Sequence, residues 1–567
     1  MKDKETIRWL LKNAGAYRFY MIGLLLLQAL LSGAALGYAL AMKTMIDGAV
    51  AGKRQEFFAG LLTFAMLVLI QILLRILLRY LEEAAKSGLE NTLKQRLFAA
   101  LLQKDYASVS AKHSEDWMNR MTSDTTVCGS GLADILPGFT GMLVRLVGAM
   151  IMIFVLQPKL AYVMVPGGLL FVGITMILRK QMKQFHKRVQ EKDGAVRVYL
   201  QERISSMLVI RVFGAEDAAL AGAEKGFSEH KKARMQKATV SNLCNTGFAA
   251  AMNGMYLLGI GYCGYGILQG LVSYGTLTAI MQLIGQLQAP LAGISGFVPR
   301  FYAMLASAER LMEAEAFAEA DVQSMKTPEA AREFYRLEFK ELVFDKVSFT
   351  YGKEEKNLPV LKDISLCLQK GDYVAVTGAS GCGKSTLLKL LMGVYTPKEG
   401  KITIAAGENE KLPLLPYKRL FSYVPQGNFL MGGTIREAIT FGREQSDTSI
   451  TVEQAVRLAC GEFLWELPEG LDTVLGEKGA GLSEGQMQRI AIARALYADT
   501  PVLILDEATS ALDEETEQQL LKNLKQLTDK TVWIVTHRPA ALDICNRRLC
   551  FMEDGSIIES QEDGKYE

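Results

Sequence analysis

Gly378-Ala379-Ser380-Gly381-Cys382-Gly383-Lys384-Ser385-Thr386 decides how this chain is read. The stretch fits G-x-x-x-x-G-K-[ST]; an apolar strand-like run, Tyr373-Val374-Ala375-Val376-Thr377, precedes it and a helical run, Leu387-Leu388-Lys389-Leu390-Leu391-Met392, follows. Strand, glycine loop and helix are the context a phosphate cradle needs. The glycines let successive backbone N–H groups turn inward at the positive end of the new helix. Lys384 can reach β- and γ-phosphates, and the Ser385 hydroxyl can ligate Mg²⁺. A glycine turn with a packing lysine does not require this spacing. The chain is therefore read as binding a nucleoside triphosphate.

The rest of the chain has to explain an unusual composition. Its 567 residues exceed one ordinary domain, and half of them are hydrophobic. Mean hydropathy is positive, which places the excess in a membrane or a very large core. Net charge is only +2, from 63 basic and 61 acidic residues, so nothing global argues for nucleic acid. The eight cysteines form no C-x-x-C pair, and four histidines are too few for a His-rich metal site.

Working back from the phosphate loop, apolar runs appear at about 19–42, 57–80, 133–157, 159–180, 242–269 and 275–299. Each is long enough to cross a bilayer, which gives six spans. The first ends in Ala39-Leu40-Ala41, which mimics a processing site, but its apolar core is longer than a signal peptide requires. The connections after the second and fourth spans are long and rich in Lys and Arg, so they and the N-terminus are placed in the cytoplasm. They read as helical continuations; about 20 residues at 1.5 Å each carry a tip roughly 30 Å beyond the bilayer. Residues 301–337 are charged and Ala/Glu-rich with a break at Thr327-Pro328, and strands alternate with helices after them. The expected fold is multidomain. An all-α six-helix transmembrane domain (1–316) is followed by a linker (317–337) and an α/β phosphate-loop NTPase domain (338–567).

Further motifs follow the loop. Pro501-Val502-Leu503-Ile504-Leu505-Asp506-Glu507 is an apolar strand that delivers Asp506 towards a Mg²⁺ at Ser385, with Glu507 placed to orient or deprotonate the attacking water. Gln426, in Tyr423-Val424-Pro425-Gln426, is a neutral amide suited to Mg²⁺ or the lytic water. His537 ends another apolar strand and is the only histidine of this domain, which suits a γ-phosphate contact. Gly481-Leu482-Ser483-Glu484-Gly485-Gln486 opens a helix, a second anion site that suits another subunit's nucleotide.

In this order, aromatic, phosphate loop, Gln, L-S-x-G-Q, strand-Asp-Glu, S-A-L-D and His, the second domain resembles the nucleotide-binding domain of ATP-binding cassette transporters. Six spans fused ahead of it resemble the exporter branch, a half-transporter that works as a homodimer or with an unlike half. The resemblance implies ATP and Mg²⁺ as cofactors, with adenine stacking on Tyr351 and phosphates held by Gly378, Ser380, Gly381, Cys382, Gly383, Lys384, Ser385 and Thr386. Ser385, Gln426 and Asp506 would coordinate the metal. Glu507 would be the base and His537 the γ-phosphate sensor, with Lys384 and Gln426 assisting. Ser483, Gly485 and Gln486 would clamp ATP held by the opposite subunit, with Asp513 of Ser510-Ala511-Leu512-Asp513 at the seam. Gly476-Glu477-Lys478-Gly479 resembles the loop that listens to the membrane domain. One departure is Glu484, where the commonest signature has Gly: near a triphosphate it repels, while pointing to solvent it is harmless.

The implied function is ATP-driven export or flipping of a lipid, peptide or amphipathic small molecule from a bacterial plasma membrane, with membrane lipid as surroundings and no nucleic acid partner. A membrane-bound ATPase that senses and moves nothing is the alternative. For the cargo, Arg145 near the middle of the third span has two readings: contact with an anionic group, or pairing with a neighbouring acid or carbonyl. Gln28, Asn253, Gln282, Gln286 and Gln288 either line the same cavity or glue helices together.

Overall fold

The apolar runs become helices because a chain in hydrocarbon must satisfy its own amides, and a helix does so within one segment. In the computed structural model, which describes residues 2–317, 327–351, 359–407, 410–427, 430–445, 448–476, 481–527, 529–552 and 554–560, the early chain is long helices. They are Tyr17–Val50, Arg54–Gln103, Ser114–Leu156, Pro158–Ser205, Glu216–Leu268 and Tyr274–Glu315. The first three contain stretches long and apolar enough to cross a membrane, with mean hydropathies of 1.9, 2.5 and 2.2. The runs expected at 159–180, 242–269 and 275–299 lie on the other three. The chain divides into two compact units, Met1–Leu102 with His113–Ala316, and Gln103–Lys112 with Phe317–Glu567.

In the first unit small residues let helix backbones approach, as expected where lipid provides no hydrophobic drive between helices. A Cβ on Gly60 would sit 2.7 Å from the Met45 nitrogen, and one on Gly148 2.2 Å from Leu36 Cδ1. The helix Ser114–Leu156 widens into single π turns at Arg120–Asp124 and Gly131–Ile135. The first π turn carries two buried charges. Asp124 accepts from Ser307 Oγ (2.8 Å) and from Arg310, while Arg120 donates to the Arg310 carbonyl (2.6 Å) and to Glu313 (3.0 Å). Together they bind this helix to Tyr274–Glu315.

The second unit is built on two sheets. β1 (Phe339–Phe349), β2 (Leu361–Gln369), β4 (Glu399–Ala406) and β5 (Glu410–Pro413) form an antiparallel sheet in the order β2-β1-β4-β5. The other sheet uses β3 (Tyr373–Gly378), β6 (Phe421–Val424), β9 (Val502–Asp506), β10 (Thr531–Val535), β11 (Arg547–Phe551) and β12 (Ile557–Ser560) in the order β12-β11-β3-β10-β9-β6, while β7 (Gly433–Thr434) and β8 (Val474–Leu475) pair apart as a short ribbon. Its β11, β3, β10, β9 and β6 are mutually parallel. β9 and β10 are buried along their whole length because both faces of the sheet are covered. Alternation divides their side chains cleanly. Leu503, Leu505, Val532 and Ile534 join a core with the helices Glu484–Tyr497 and Glu514–Lys525. Val502, Ile504, Trp533 and Val535 join a second core beneath β1 and β2. Within the expected linker, the helix Pro328–Leu337 belongs to this unit and buries Ala331, Phe334 and Tyr335 in the second core.

Candidate functional site

Parallel pairing decides what meets what. The carboxyl ends of β3, β10, β9 and β6 share one edge of the sheet, where ligands of open α/β sheets bind. That edge receives the phosphate loop, His537, the Asp506-Glu507 pair and Gln426. Gly378 leaves β3 at φ 142°, where a Cβ would lie 2.7 Å from Phe551 Cβ. Gly383, at φ 107°, is the left-handed residue from which the helix Lys384–Leu391 starts. The first-turn amides of that helix have no intrahelical acceptor and are available to an anion. The buried ammonium of Lys384 donates to the Gly378 (2.6 Å) and Ala379 (2.9 Å) carbonyls, which anchors it on the loop.

Ser385 Oγ donates to Asp506 Oδ2 at 3.2 Å, so the two expected metal ligands are neighbours. Tyr423 OH donates to the same oxygen at 3.0 Å. Burial pushes the Asp506 carboxyl above its usual range; these two hydrogen bonds oppose the shift and the adjacent Glu507 adds to it. Burial, then Asp506, likewise drives the Tyr423 phenol far up, keeping it a donor. Gln426 Nε2 donates to Glu507 Oε2 at 2.7 Å, which leaves the amide oxygen for a cation. A hydroxyl, a nearly dry carboxylate and an amide oxygen form a hard oxygen set, and a cation would relieve the cost of burying Asp506. The donor set fits Mg²⁺.

Glu507 adopts φ 51°, a left-handed conformation that costs a non-glycine residue on the order of 1 kcal/mol. Its N–H donates to the Val535 carbonyl (3.0 Å), and its own carbonyl accepts from the Ser510 N–H (3.2 Å). His537 is exposed just beyond β10. Tyr351 packs edge-on against Phe349 and Tyr395, with ring centroids at 5.1 and 5.7 Å, and its hydroxyl bonds to Thr386 Oγ1 at 2.8 Å. Tyr395 in turn meets Tyr106, from the 103–112 segment, at 6.0 Å.

The signature residues stand apart from this cluster. Ser483 caps the helix Glu484–Tyr497 in a capping box with Gln486, and among the described residues no hydrogen bond joins either to the phosphate loop. Glu484 is exposed in the helix's first turn, a position that favours a carboxylate on its own account. A Cβ on Gly485 would sit 2.7 Å from the Ala511 carbonyl, so the signature packs on the loop that carries Asp513. Asp513 caps the helix Glu514–Lys525, and the Thr516 N–H it accepts holds its carboxyl below the usual range. Of 476–479, only Gly476 lies within the described residues.

Sequence reasoning passed over Tyr423, Gln488 and Arg538. Tyr423 reaches Asp506 because β6 pairs with β9. Gln488 bonds to Ser510 Oγ (3.0 Å) and to the Ala511 N–H (3.0 Å). No local pattern signals either contact; strand order and helix docking create both.

In the membrane unit, Gly141, Arg145 and Gly148 share one helix face, since they are four and three residues apart. Gly141 receives a hydrogen bond from Ser32 (3.1 Å) and Gly148 meets Leu36, so that face is turned to the helix Tyr17–Val50. Arg145 Nε is buried without a partner, and among the described residues no carboxylate pairs with it. The nearby charge is another cation, Arg75. Gln286 donates to the Ala35 carbonyl (2.7 Å), while its Oε1 and that of Gln282 are buried with no partner among the described residues.

The fold and site thus define a phosphate-loop ATPase joined to a helical membrane domain. The chain matches the ABC transporter transmembrane region over residues 19–291 and the ABC transporter domain over 361–510. It is 30% identical over 477 residues to the "Probable multidrug resistance ABC transporter ATP-binding/permease protein YheI" of Bacillus subtilis, covering 83% of this chain and 79% of that protein. It is 28% identical over 446 residues to an "ATP-dependent lipid A-core flippase" of Vibrio parahaemolyticus, covering 78% and 75%. A solved bacterial Atm1-family ABC exporter with ATP bound shares the fold, with a TM-score of 0.77 at 22% identity over 96% of this chain and 95% of that one. The chain belongs to the ABC transporter family. It is an ATP-hydrolysing exporter, a membrane domain fused to the ATPase that drives it. The sensor alternative finds no support among these relatives.

Proposed function

We propose that this chain is a half-transporter (membrane domain 1–316, linker 317–337, nucleotide-binding domain 338–567) whose ATP sites are completed by a second half. The separation of the signature from the phosphate loop carries this reading: Ser483 and Gln486 make no hydrogen bond to 378–386 among the described residues, so the anion site they form serves the partner's nucleotide. The exposed apolar side chains Leu208, Val212 and Phe213, at a cytoplasmic helix tip, fit the same view. So does the open groove lined by Phe421, Leu430, Ile439 and Phe441: each is an apolar surface a second half would cover.

In each site 378–386 cradles the phosphates and Tyr351 stacks on adenine. Ser385, Asp506 and the Gln426 oxygen would hold Mg²⁺, which would supply charge neutralisation on the phosphates. Glu507 takes the proton from the attacking water, with Gln426 keeping the carboxylate in place and His537 facing the γ-phosphate. Closing and reopening the two nucleotide domains turns the cavity outward and back. The six helical runs are the spans, in a bacterial plasma membrane with the ATPase in the cytoplasm. The cargo is amphipathic and carries an anionic group, for which Arg145, its Nε without a partner among the described residues, is the contact.

Complementation tests the composite site. Lys384→Ala and Ser483→Arg chains are each inactive alone, but mixed pairs regain one intact site, so turnover returns on co-reconstitution. No recovery, from a wild-type chain that is itself active, would overturn the shared-site reading. A wild-type chain that binds ATP and never turns over would mean the second half is an unlike chain.

A further inference from the structure

The geometry points to Arg538 as a positioning residue for ATP hydrolysis, a clamp that fixes the backbone around Glu507 by gripping the loop at 510–513. Its Nη2 donates to the Ser510 carbonyl (2.8 Å) and its Nη1 to the Leu512 carbonyl (2.9 Å), which uses both arms of the planar guanidinium on one loop. Nη1 also donates to Glu517 Oε2 (2.8 Å). That carboxylate is almost wholly buried, and its other oxygen, Oε1, has no partner among the described residues. A buried carboxylate so poorly served is costly unless it holds a cation in place. Its service here is to orient the fork.

The clamp closes a ring. The Arg538 N–H donates to Thr536 Oγ1 (3.0 Å), tightening the turn that displays His537. The Val535 carbonyl holds the Glu507 N–H, the Glu507 carbonyl holds the Ser510 N–H, and the Ser510 carbonyl returns to Arg538. Every link around the left-handed Glu507 backbone is thereby fixed from both sides. Gln488, on the signature helix, grips the same loop through Ser510 Oγ and the Ala511 N–H. The loop is consequently shared between Arg538, behind the chain's own catalytic carboxylate, and the helix that faces the partner's ATP. The clamp acts on the turnover step, because none of its atoms is among those placed against the nucleotide.

Two substitutions separate this role from simple support of the fold. Arg538→Lys keeps a cation beside Glu517 but cannot serve two carbonyls from one planar fork. The double change Arg538→Met with Glu517→Leu removes the charge pair as apolar packing and leaves no buried ion behind. In the full-length chain reconstituted in lipid, both are expected to lower kcat about tenfold, with KM for ATP and Tm close to wild type. A purely structural role would lower Tm and disturb KM together. Wild-type kcat in either folded variant would overturn the proposal, as would a kcat loss matched by the same loss of ATP binding.

Discussion

The sheet edge that receives the phosphate loop and the helix face around Arg145 treat their buried polar groups in opposite ways. At the ATPase edge of the sheet the reactive side chains are held: Asp506 by Ser385 and Tyr423, Glu507 by Gln426, Lys384 by two loop carbonyls. In the membrane unit Arg145 Nε, Gln282 Oε1 and Gln286 Oε1 are buried with no hydrogen-bond partner among the described residues. Hydrolysis needs groups preorganised before the substrate arrives, since each reorientation adds to the barrier. A cargo surface gains from the reverse arrangement. A polar group without a partner in hydrocarbon is a debt that a ligand can settle.

Breaking the ordered side should cost most. Glu507→Gln is expected to lower ATP turnover by about 100-fold or more while ATP still binds, because it removes the base and leaves the cradle. Single-turnover kinetics with labelled ATP check this. Tyr423→Phe comes next. Loss of one hydrogen bond to Asp506 should cut kcat about tenfold and raise the Mg²⁺ concentration needed for half-maximal turnover, both read in a metal titration. On the open side, Arg145→Gln should raise the concentration of an anionic amphiphile that half-maximally stimulates ATPase by about fivefold. The same titration with a cationic amphiphile should not move. Equal shifts for both would reassign Arg145 to packing.

One further effect concerns stability alone. Burial by itself would raise the Asp499 carboxyl, but Lys530 at 3.1 Å and the Ser449 hydroxyl and N–H more than offset it and hold it below its usual value. A depressed carboxylate contributes stability above its unfolded pKa of about 3.9 and loses it as pH falls through the folded value. Asp499→Asn should therefore destabilise the nucleotide domain by about 2 kcal/mol at pH 7. The gap to wild type should close below about pH 4, as calorimetry at several pH values would show.

What the sequence revealed follows the same division. The phosphate loop, the Asp506-Glu507 pair, Gln426 and the Ser483 signature were legible because each is a local pattern whose chemistry needs that spacing. The spans at 19–42, 57–80 and 133–157 stood out because hydropathy sums locally; the run at 242–269 was also read as a span, on a signal that Gly259, Gly261, Gly264 and Gly266 dilute. The sheet order was not legible, since β3 pairs with β10 and with β11 across more than a hundred residues of chain. Tyr423, Gln488 and Arg538 went unread for that reason: their roles exist only once distant segments pack. The π turn at Arg120–Asp124 is similar, needing the charges of Arg310 and Glu313 to explain it.

Hydrolysis at Glu507 is expected to drive movement of an anionic amphiphile through the membrane unit. Its most direct test is uptake of a fluorescent anionic lipid analogue across vesicles holding the wild-type chain or Glu507→Gln, with the same amount of protein and ATP. The account predicts ATP-dependent transfer with wild type and background transfer with the variant. Equal transfer by both, or wild-type hydrolysis with no transfer of any amphiphile tried, would contradict it.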